Sequence, residues 1–184
     1  AAFFAAEPMD VYRNIVQAVV RQFPGAVSLI SILDGNFLEF RAAAGMPPEA
    51  EGMSGNTLED SYCQFAIENK SALRIVDATR ETVYDKVLPR KLGYNRYLGV
   101  PLYGDEGEVI GTLCLLDRHT GREFLDEEER FVSLLAMRAG SEVLRERNIE
   151  QRMKQKEEAL ARQEKDLQRT QVVLETMNAG FELI

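Results

Sequence analysis

The chain has 184 residues, enough for one globular domain with a substantial extension, and 45% of them are hydrophobic, which argues for a folded core. The net charge of −8 falls entirely on residues 1–144, because residues 145–184 hold eight basic and eight acidic side chains. An acidic globular part offers no basic stripe for a phosphate backbone or an anionic membrane surface, so neither nucleic acid nor membrane is an expected partner.

Cysteine usage and hydropathy narrow the class further. Two cysteines, Cys63 and Cys114, are too few for a disulfide framework or a zinc cluster. No apolar run approaches the ~20 residues of a membrane-spanning helix. Residues 1–6 lack the basic start and apolar run of a signal peptide, and we interpret them as the remnant of a truncation. We expect a cytoplasmic protein.

The chain opens with a predicted helix and a hairpin. Residues 8–23 carry the apolar spacing of an amphipathic helix, which Pro24-Gly25 ends. Residues 26–33 form an apolar, β-branched run typical of a buried strand. The turn Asp34-Gly35-Asn36 joins this run to a second strand at residues 37–41.

A loop, a helix and a second hairpin follow. Glycine, proline and serine indicate a surface loop at residues 45–57, and residues 58–69 return to helical spacing. A short strand is predicted at residues 73–76. Residues 97–117 form two apolar strands joined by the acidic turn at residues 104–107, which predicts the central hairpin.

Side chains alternate between two faces along the second strand of this hairpin. The set expected to pack on helices is Val109, Gly111, Leu113 and Leu115, and the opposite set is Ile110, Thr112, Cys114 and Leu116. Thr112 and Cys114 can both form hydrogen bonds, so they are candidates for the floor of a pocket. Gly99 and Gly111 interrupt the strands, which indicates a bulge or a close backbone approach.

The last helix begins at the acidic segment of residues 124–129 and shows no stop signal from residue 127 to about residue 177. Met153, Leu160, Leu167 and Leu174 recur every seven residues, with Ile149 and Met177 at matching d positions. The intervening d residues are Lys156, Gln163 and Thr170. One apolar and one polar seam predict a weak dimeric coiled coil; the alternative is a solvated charged helix.

Four segments, in this order, resemble a known family: SYCQFAI (residues 61–67), LRIVDA (73–78), YLGVPL (97–102) and IGTLCLLD (110–117). They are similar to GAF domains of the type found in bacterial sensor kinases and diguanylate cyclases. The resemblance implies an α+β GAF fold at residues 8–148, with a central antiparallel sheet of five to six strands flanked by helices. A long C-terminal coiled-coil helix at residues 149–177 would follow. Residues 178–184, with a break at Gly180 before an apolar strand, resemble the linker into a PAS domain.

The resemblance also implies a ligand site between the sheet and the segments that run from the middle helix to the central hairpin. The residues mapped to this wall are Tyr62, Cys63, Phe65, Asp77, Tyr94, Arg96 and Tyr97, with Thr112 and Cys114 as the floor. Two tyrosines and a guanidinium suit a planar or anionic molecule. The structural alternative is that the aromatic residues fill a gap, that Arg96 pairs with an acid, and that Asp77 caps a strand end.

Other chemistries of this family fit less well. In cyclic-nucleotide GAF domains an Asn-Lys pair precedes a Phe-x-x-x-Asp-Glu segment; residues 124–129 echo the latter, but Leu116-Asp117 stands where Asn-Lys should. His119, the single histidine, lies in a polar loop, so haem or bilin attachment is not expected, and no metal is expected either. Cys63 and Cys114 leave open a thiol enzyme or a redox sensor.

We therefore expect a sensory or regulatory module, not itself an enzyme, of a multidomain signal-transduction protein. The parent would be a histidine kinase of a two-component system or a diguanylate cyclase. A small ligand of unknown identity would shift a homodimeric relay helix through Ile149, Met153, Leu160, Leu167 and Leu174. A domain that binds nothing, and only dimerises and transmits, is the alternative.

Overall fold

A computed structural model describes residues 8–181 and the side chains of residues 9–177. The helices are α1 (Pro8–Gln22), α2 (Cys63–Asn69), α3 (Leu88–Lys91) and α4 (Asp126–Phe181). The strands are β1 (Val27–Asp34), β2 (Phe37–Ala44), β3 (Gly55–Thr57), β4 (Leu73–Ile75), β5 (Arg96–Tyr103) and β6 (Val109–Asp117). Short 3-10 turns lie at Pro48–Ala50, Leu58–Asp60, Ala78–Arg80 and Thr82–Tyr84.

The six strands form one antiparallel sheet in the order β3-β2-β1-β6-β5-β4. The α+β class, the antiparallel sheet and the long C-terminal helix predicted from the sequence are confirmed. Strands β1 and β6 are central, which explains why their residues are almost continuously buried. A strand with neighbours on both sides and packed layers on both faces has no solvated side, so polar alternation disappears.

Each face of the sheet has its own core. On one face, Val16 of α1 and Val132 and Ala139 of α4 pack with Leu113 and Leu115 of β6. On the other face, side chains from α2, the 3-10 turns and the loops pack with Cys114 and Leu116. The predicted alternation is therefore confirmed for residues 113–116 of β6, and it places Cys114 on the face away from α1 and α4.

Ile110 departs from this alternation. The β5–β6 register pairs Leu102 with Gly111 and Tyr103 with Val109, so Ile110 is skipped in the ladder. A skipped residue bulges and turns its side chain. Ile110 consequently joins the core shared with α1 and α4, against the side predicted for it.

Three further elements differ from the sequence prediction, and one of them is β3, a short strand paired with β2 inside the predicted loop at residues 45–57. The helix expected at residues 58–69 is a 3-10 turn followed by α2, because the Ser61 hydroxyl accepts a hydrogen bond from the Cys63 backbone N–H at 2.8 Å and competes with helix continuation. The break expected at Gly180 is absent, since α4 runs to Phe181; one glycine costs a helix only about 1 kcal/mol. The strand expected after it lies beyond the described residues.

The chain divides into two compact units, one ending at Leu144 and the other beginning at Arg145. Within the second unit, every residue from 147 to 177 is exposed. Among residues 8–181, no helix combines the length and the apolar character that crossing a membrane requires. The boundary predicted at residue 148 stays a prediction.

Candidate functional site

A cavity of ≈ 60 Å³ lies on the sheet face away from α1 and α4. Its floor comes from β1, β5 and β6, and its walls come from the segment between β2 and α2 and from the segment around α3. The lining residues are Val27, Leu29, Ser31, Phe40, Met46, Pro47, Ala50, Met53, Asn56, Ser61, Tyr62, Cys63, Leu88, Pro89, Leu92, Tyr94, Tyr97, Cys114 and Leu116. An engineered cavity of about 150 Å³ holds benzene, so this space suits a smaller molecule.

The lining is uncharged. Among the described residues that border the cavity there is no Lys, Arg, His, Asp or Glu. The polar groups are hydroxyls, thiols and the Asn56 amide. The hydroxyl of Ser31, a residue only 1% exposed, has no hydrogen-bond partner in the described part of the chain. An unpaired buried hydroxyl costs free energy, which a ligand able to hydrogen-bond to Ser31 would recover.

Cys63 receives several hydrogen bonds. The hydroxyls of Tyr97 and Thr112 lie 3.3 and 3.2 Å from its Sγ atom. The hydrogen bond from Cys114 is the largest cause that lowers the pKa of Cys63; burial opposes it, and the hydroxyls of Ser61, Thr112 and Tyr97 lower the pKa further. The same hydrogen bond and burial raise the pKa of Cys114. Cys63 is therefore the more acidic of the two thiols.

A glycine creates the space for one of these donors. A Cβ atom on Gly99 would meet the Tyr97 hydroxyl, so the tyrosine side chain lies directly over the glycine. Burial raises the pKa of Tyr97, which stays a neutral donor. The bulge or close backbone approach predicted at Gly99 is wrong, because the Tyr97 side chain occupies that space and the ladder is regular there. At Gly111 the predicted backbone approach is confirmed, because the Ser31 carbonyl oxygen of β1 would meet a Cβ atom there.

Six of the nine residues predicted for the ligand site lie together. Tyr62, Cys63, Tyr94, Tyr97 and Cys114 line the cavity, and Thr112 contacts Cys63 behind them. The Tyr62 hydroxyl donates to the Tyr94 carbonyl at 2.9 Å, which ties α2's entry to the loop after α3. A ligand role for these residues stays a prediction.

The structure places Phe65 and Asp77 outside the cavity lining. The Phe65 ring packs edge-on against Tyr84 at 5.1 Å between centroids. The Asp77 carboxylate accepts hydrogen bonds from the backbone N–H of Thr79 at 3.0 Å and from its hydroxyl at 2.6 Å. Asp77 therefore caps the following 3-10 turn, as its structural alternative described, and that bond pattern lowers its pKa.

Arg96 also lies outside the lining, because its guanidinium points toward the segment before α4. It donates to the Asp117 carboxylate at 3.0 Å and to the Arg122 carbonyl at 3.0 Å, and it stacks over the Phe124 ring at 3.7 Å. Burial lowers the pKa of Arg96. Burial would raise the pKa of Asp117, but hydrogen bonds from His119 and Arg96 outweigh it and lower that pKa. Arg96 thus fixes the entry to α4.

The single histidine is remote from the cavity. The His119 side chain is 86% exposed, and its ring nitrogen lies 3.0 Å from the Asp117 carboxylate. Within residues 8–181, no group of three or more His, Cys, Asp or Glu side chains is placed to hold a metal ion.

Sequence reasoning missed part of the wall. Met46, Ala50 and Met53 come from the loop that glycine and proline marked as surface, and Leu88 and Leu92 come from the segment around α3. The two methionines in this loop could have indicated its position, since large apolar side chains in a loop usually pack against a core or line a binding site. Ser31 carried no signal, because its burial depends on the layer above it.

The family model described as "GAF domain" matches residues 7–143. The chain belongs to the GAF domain family. In signalling proteins, GAF domains are sensory or regulatory modules.

Relatives of this GAF domain are found in larger proteins. A cyclic di-GMP phosphodiesterase of Pseudomonas aeruginosa is 33% identical over 114 residues, which is 59% of this chain and 18% of that protein. The chain thus spans under a fifth of that curated relative. The GAF domains of two phosphoenolpyruvate-protein phosphotransferases share the fold. The one from Acinetobacter has a TM-score of 0.66 and 18% identity, over 79% of this chain and 87% of that chain. The one from Coxiella burnetii has a TM-score of 0.65 and 24% identity, over 78% of this chain and 86% of that chain.

Proposed function

We propose that this GAF domain is the sensory module of a multidomain cytoplasmic signalling protein, in which a small ligand in the cavity shifts a dimeric relay helix. The observation that supports a ligand is the uncharged cavity with the unpaired Ser31 hydroxyl at its floor. Similarity to a cyclic di-GMP phosphodiesterase supports a parent in bacterial second-messenger signalling. A diguanylate cyclase or a histidine kinase, with a PAS domain after α4, remains part of this proposal.

The cavity favours a small neutral ligand with an apolar body and one or two hydrogen-bonding groups. A phosphate or carboxylate would lose its hydration there without meeting a charged partner, which costs several kcal/mol. A cyclic dinucleotide is far larger than ≈ 60 Å³. The substrate named for the Pseudomonas relative is therefore not the ligand proposed for this cavity.

Filling the cavity tests ligand binding. Ala50 is buried in the cavity wall, whereas Ala43 on β2 is exposed. Ala50→Leu adds three carbon atoms where the ligand would lie, and Ala43→Leu adds the same atoms at the surface. Native mass spectrometry of the protein as purified should show a dimer that retains a small neutral mass. Ala50→Leu should lose that mass and Ala43→Leu should keep it.

A thermal-shift assay detects binding even when the ligand dissociates during purification. Small neutral alcohols, ketones and amides should raise the melting temperature of the wild type and of Ala43→Leu, but not of Ala50→Leu. A ligand at 100 times its Kd adds about 2.7 kcal/mol to the free energy of unfolding. A dimer with no retained mass and no shift would instead favour the module that only dimerises and transmits, which the small volume of the cavity also suits.

The exposed stripe on α4 supports the dimeric relay. Its apolar residues are each between 49% and 63% exposed, and they are Ile149, Met153, Leu160, Leu167, Leu174 and Met177. A seven-residue repeat matches the geometry of a second, identical helix. A second copy of this chain is therefore the occupant that we propose for the stripe.

The polar seam gives a prediction for the dimer. Lys156, Gln163 and Thr170 occupy the d positions between Ile149 and Met177. Replacing all three with leucine should tighten the dimer at least roughly tenfold, about 1.4 kcal/mol, because the substitutions convert polar layers into buried apolar ones. Sedimentation equilibrium gives the dissociation constant.

A triple variant at exposed positions outside both seams provides the control. Lys154, Arg162 and Arg169 lie at b and c positions of the same helix, so leucines there should leave the dissociation constant unchanged. Equal constants for the wild type and the d-position variant would rule out this seam.

A further inference from the structure

The two cysteines lie together in the cavity. Cys63 stands at the start of α2 and Cys114 in the central strand β6, and both side chains border the same space. Both are free, buried thiols, and both belong to the core cluster on this face of the sheet. The two residues are 51 positions apart in sequence, so the tertiary fold alone makes them neighbours.

The surroundings of the two thiols differ. The hydroxyls of Tyr97 and Thr112 lie within 3.3 Å of the Cys63 sulfur. These hydrogen bonds stabilise a thiolate at Cys63, whereas the pKa of Cys114 is raised by its hydrogen bond to Cys63 and by burial. A thiolate is the nucleophile in thiol chemistry, so Cys63 is suited to react first and Cys114 to react second.

We propose that Cys63 and Cys114 form a redox site that a small peroxide, either hydrogen peroxide or a small organic hydroperoxide, converts to a disulfide. The site uses the same cavity as the proposed sensory function, but it does not depend on a reversible ligand. The oxidation would link α2 covalently to the central strand of the sheet.

The disulfide forms in two steps. The Cys63 sulfur attacks one peroxide oxygen, the O–O bond breaks, and the leaving oxygen takes the thiol proton and departs as an alcohol or as water. This leaves a sulfenic acid at Cys63. The Cys114 sulfur then attacks the Cys63 sulfur, the S–O bond breaks, and the hydroxide leaves as water with the Cys114 proton. The two thiols lose two electrons and the peroxide gains them.

Buried cysteines are usually inert, and three features distinguish this pair from most buried cysteines. The cavity of ≈ 60 Å³ exceeds the 10–15 Å³ that a water molecule needs, so a peroxide of two heavy atoms can enter beside Cys63. The uncharged lining admits a neutral oxidant without a desolvation penalty for charge. Hydroxyl donors around Cys63 also replace the hydrogen bonds that a thiolate would have in water.

The test uses the full chain, reduced and then exposed to hydrogen peroxide, with intact mass measured without reductant. The wild type should become two hydrogen atoms lighter, lose both alkylation sites, and yield a Cys63–Cys114 linked peptide. Cys114→Ser should gain one oxygen atom, which dimedone captures at Cys63. Cys63→Ser should keep its mass over the period that converts the wild type.

A donor variant separates an activated thiol from an accessible one. Thr112→Val keeps the side-chain shape but removes a hydroxyl from Cys63, so oxidation should slow by roughly tenfold. Thr82→Val, on an exposed 3-10 turn, should oxidise at the wild-type rate. Circular dichroism confirms that each variant is folded.

Three results would overturn the redox site: oxidation that requires denaturant, oxygen addition to the wild type without a linked peptide, or equal rates for Thr112→Val and the wild type. The reversible ligand has its own readout in the retained mass and thermal shift of Ala50→Leu. Loss of ligand binding with intact disulfide formation, or the reverse, therefore shows which of the two proposals fails.

Discussion

Arg96→Met should lower the free energy of unfolding by about 3–5 kcal/mol, the range for removing one partner of a buried ion pair. The Arg96 side chain is 3% exposed and that of Asp117 is 11% exposed, so water replaces little of the lost interaction. Methionine retains much of the aliphatic stem, but it removes the guanidinium that donates to the Asp117 carboxylate and to the Arg122 carbonyl. Urea denaturation followed by circular dichroism measures the difference.

Arg74→Met is the matched control. Arg74 joins β4 to the start of α4 through Asp126 and Glu129, but its side chain is 32% exposed and that of Asp126 is 77% exposed. Exposed ion pairs contribute about 0–1 kcal/mol, so this variant should lose far less than Arg96→Met. Similar losses for the two variants would contradict the buried role of Arg96.

The stability that the Arg96–Asp117 pair contributes should decrease at acidic pH. Hydrogen bonds from His119 and Arg96 lower the pKa of Asp117 in the folded state. A lowered carboxyl pKa stabilises the fold above its unfolded value of about 3.9, and this contribution is lost as pH falls through the folded pKa. The difference in the free energy of unfolding between the wild type and Arg96→Met should therefore decrease below about pH 4. Asp117→Asn added to Arg96→Met should recover part of the loss, because no unpaired carboxylate remains.

Gly111→Ala should destabilise the fold by about 2–3 kcal/mol, since overpacking in a close-packed core has costs of this size. Gly111 lies in β6 and pairs with Ile32 of β1. A Cβ atom there would clash with the Ser31 carbonyl oxygen, and backbone in a central strand cannot rotate away as a side chain does. The strands must separate locally, which weakens their ladder. Thermal and urea denaturation both report this loss.

Gly140→Ala makes the same substitution in α4 with the opposite expected sign. The nearest atom to the added Cβ would be the Tyr103 carbonyl oxygen at 3.5 Å, an ordinary contact. Alanine favours a helix over glycine by up to about 1 kcal/mol, so this variant should be more stable than the wild type. Destabilisation by Gly140→Ala, or unchanged stability in Gly111→Ala, would contradict the packing described around these two glycines.

The predictable parts of the candidate site depend on local sequence. The family segments located Tyr62, Cys63, Tyr97 and Cys114, and the stretch just before the third segment located Tyr94; all five residues line the cavity. Asp77 in the second segment and Arg96 beside the third do not line it, because each has a competing partner. Asp77 binds the Thr79 backbone and hydroxyl, and Arg96 turns to Asp117 and Phe124.

The sequence by itself determined the first and last helices, the two hairpins and the faces on which residues 113–116 of β6 lie. Apolar period, turn residues and helix signals act over a few positions, so they can be recognised without the fold. The heptad along α4 is local in the same way, although its partner helix remains a proposal.

Tertiary structure decided everything that depends on distant segments meeting. The bulge at Ile110 depends on how β6 pairs with β5. Met46 and Met53 line the cavity only because their loop lies over the sheet. The Ser31 hydroxyl is buried and unpaired only because that loop and the α3 segment cover it. Cys63 and Cys114 become neighbours in the same way. A side chain's orientation, burial and acidity depend on atoms far away in sequence, and local patterns do not contain them.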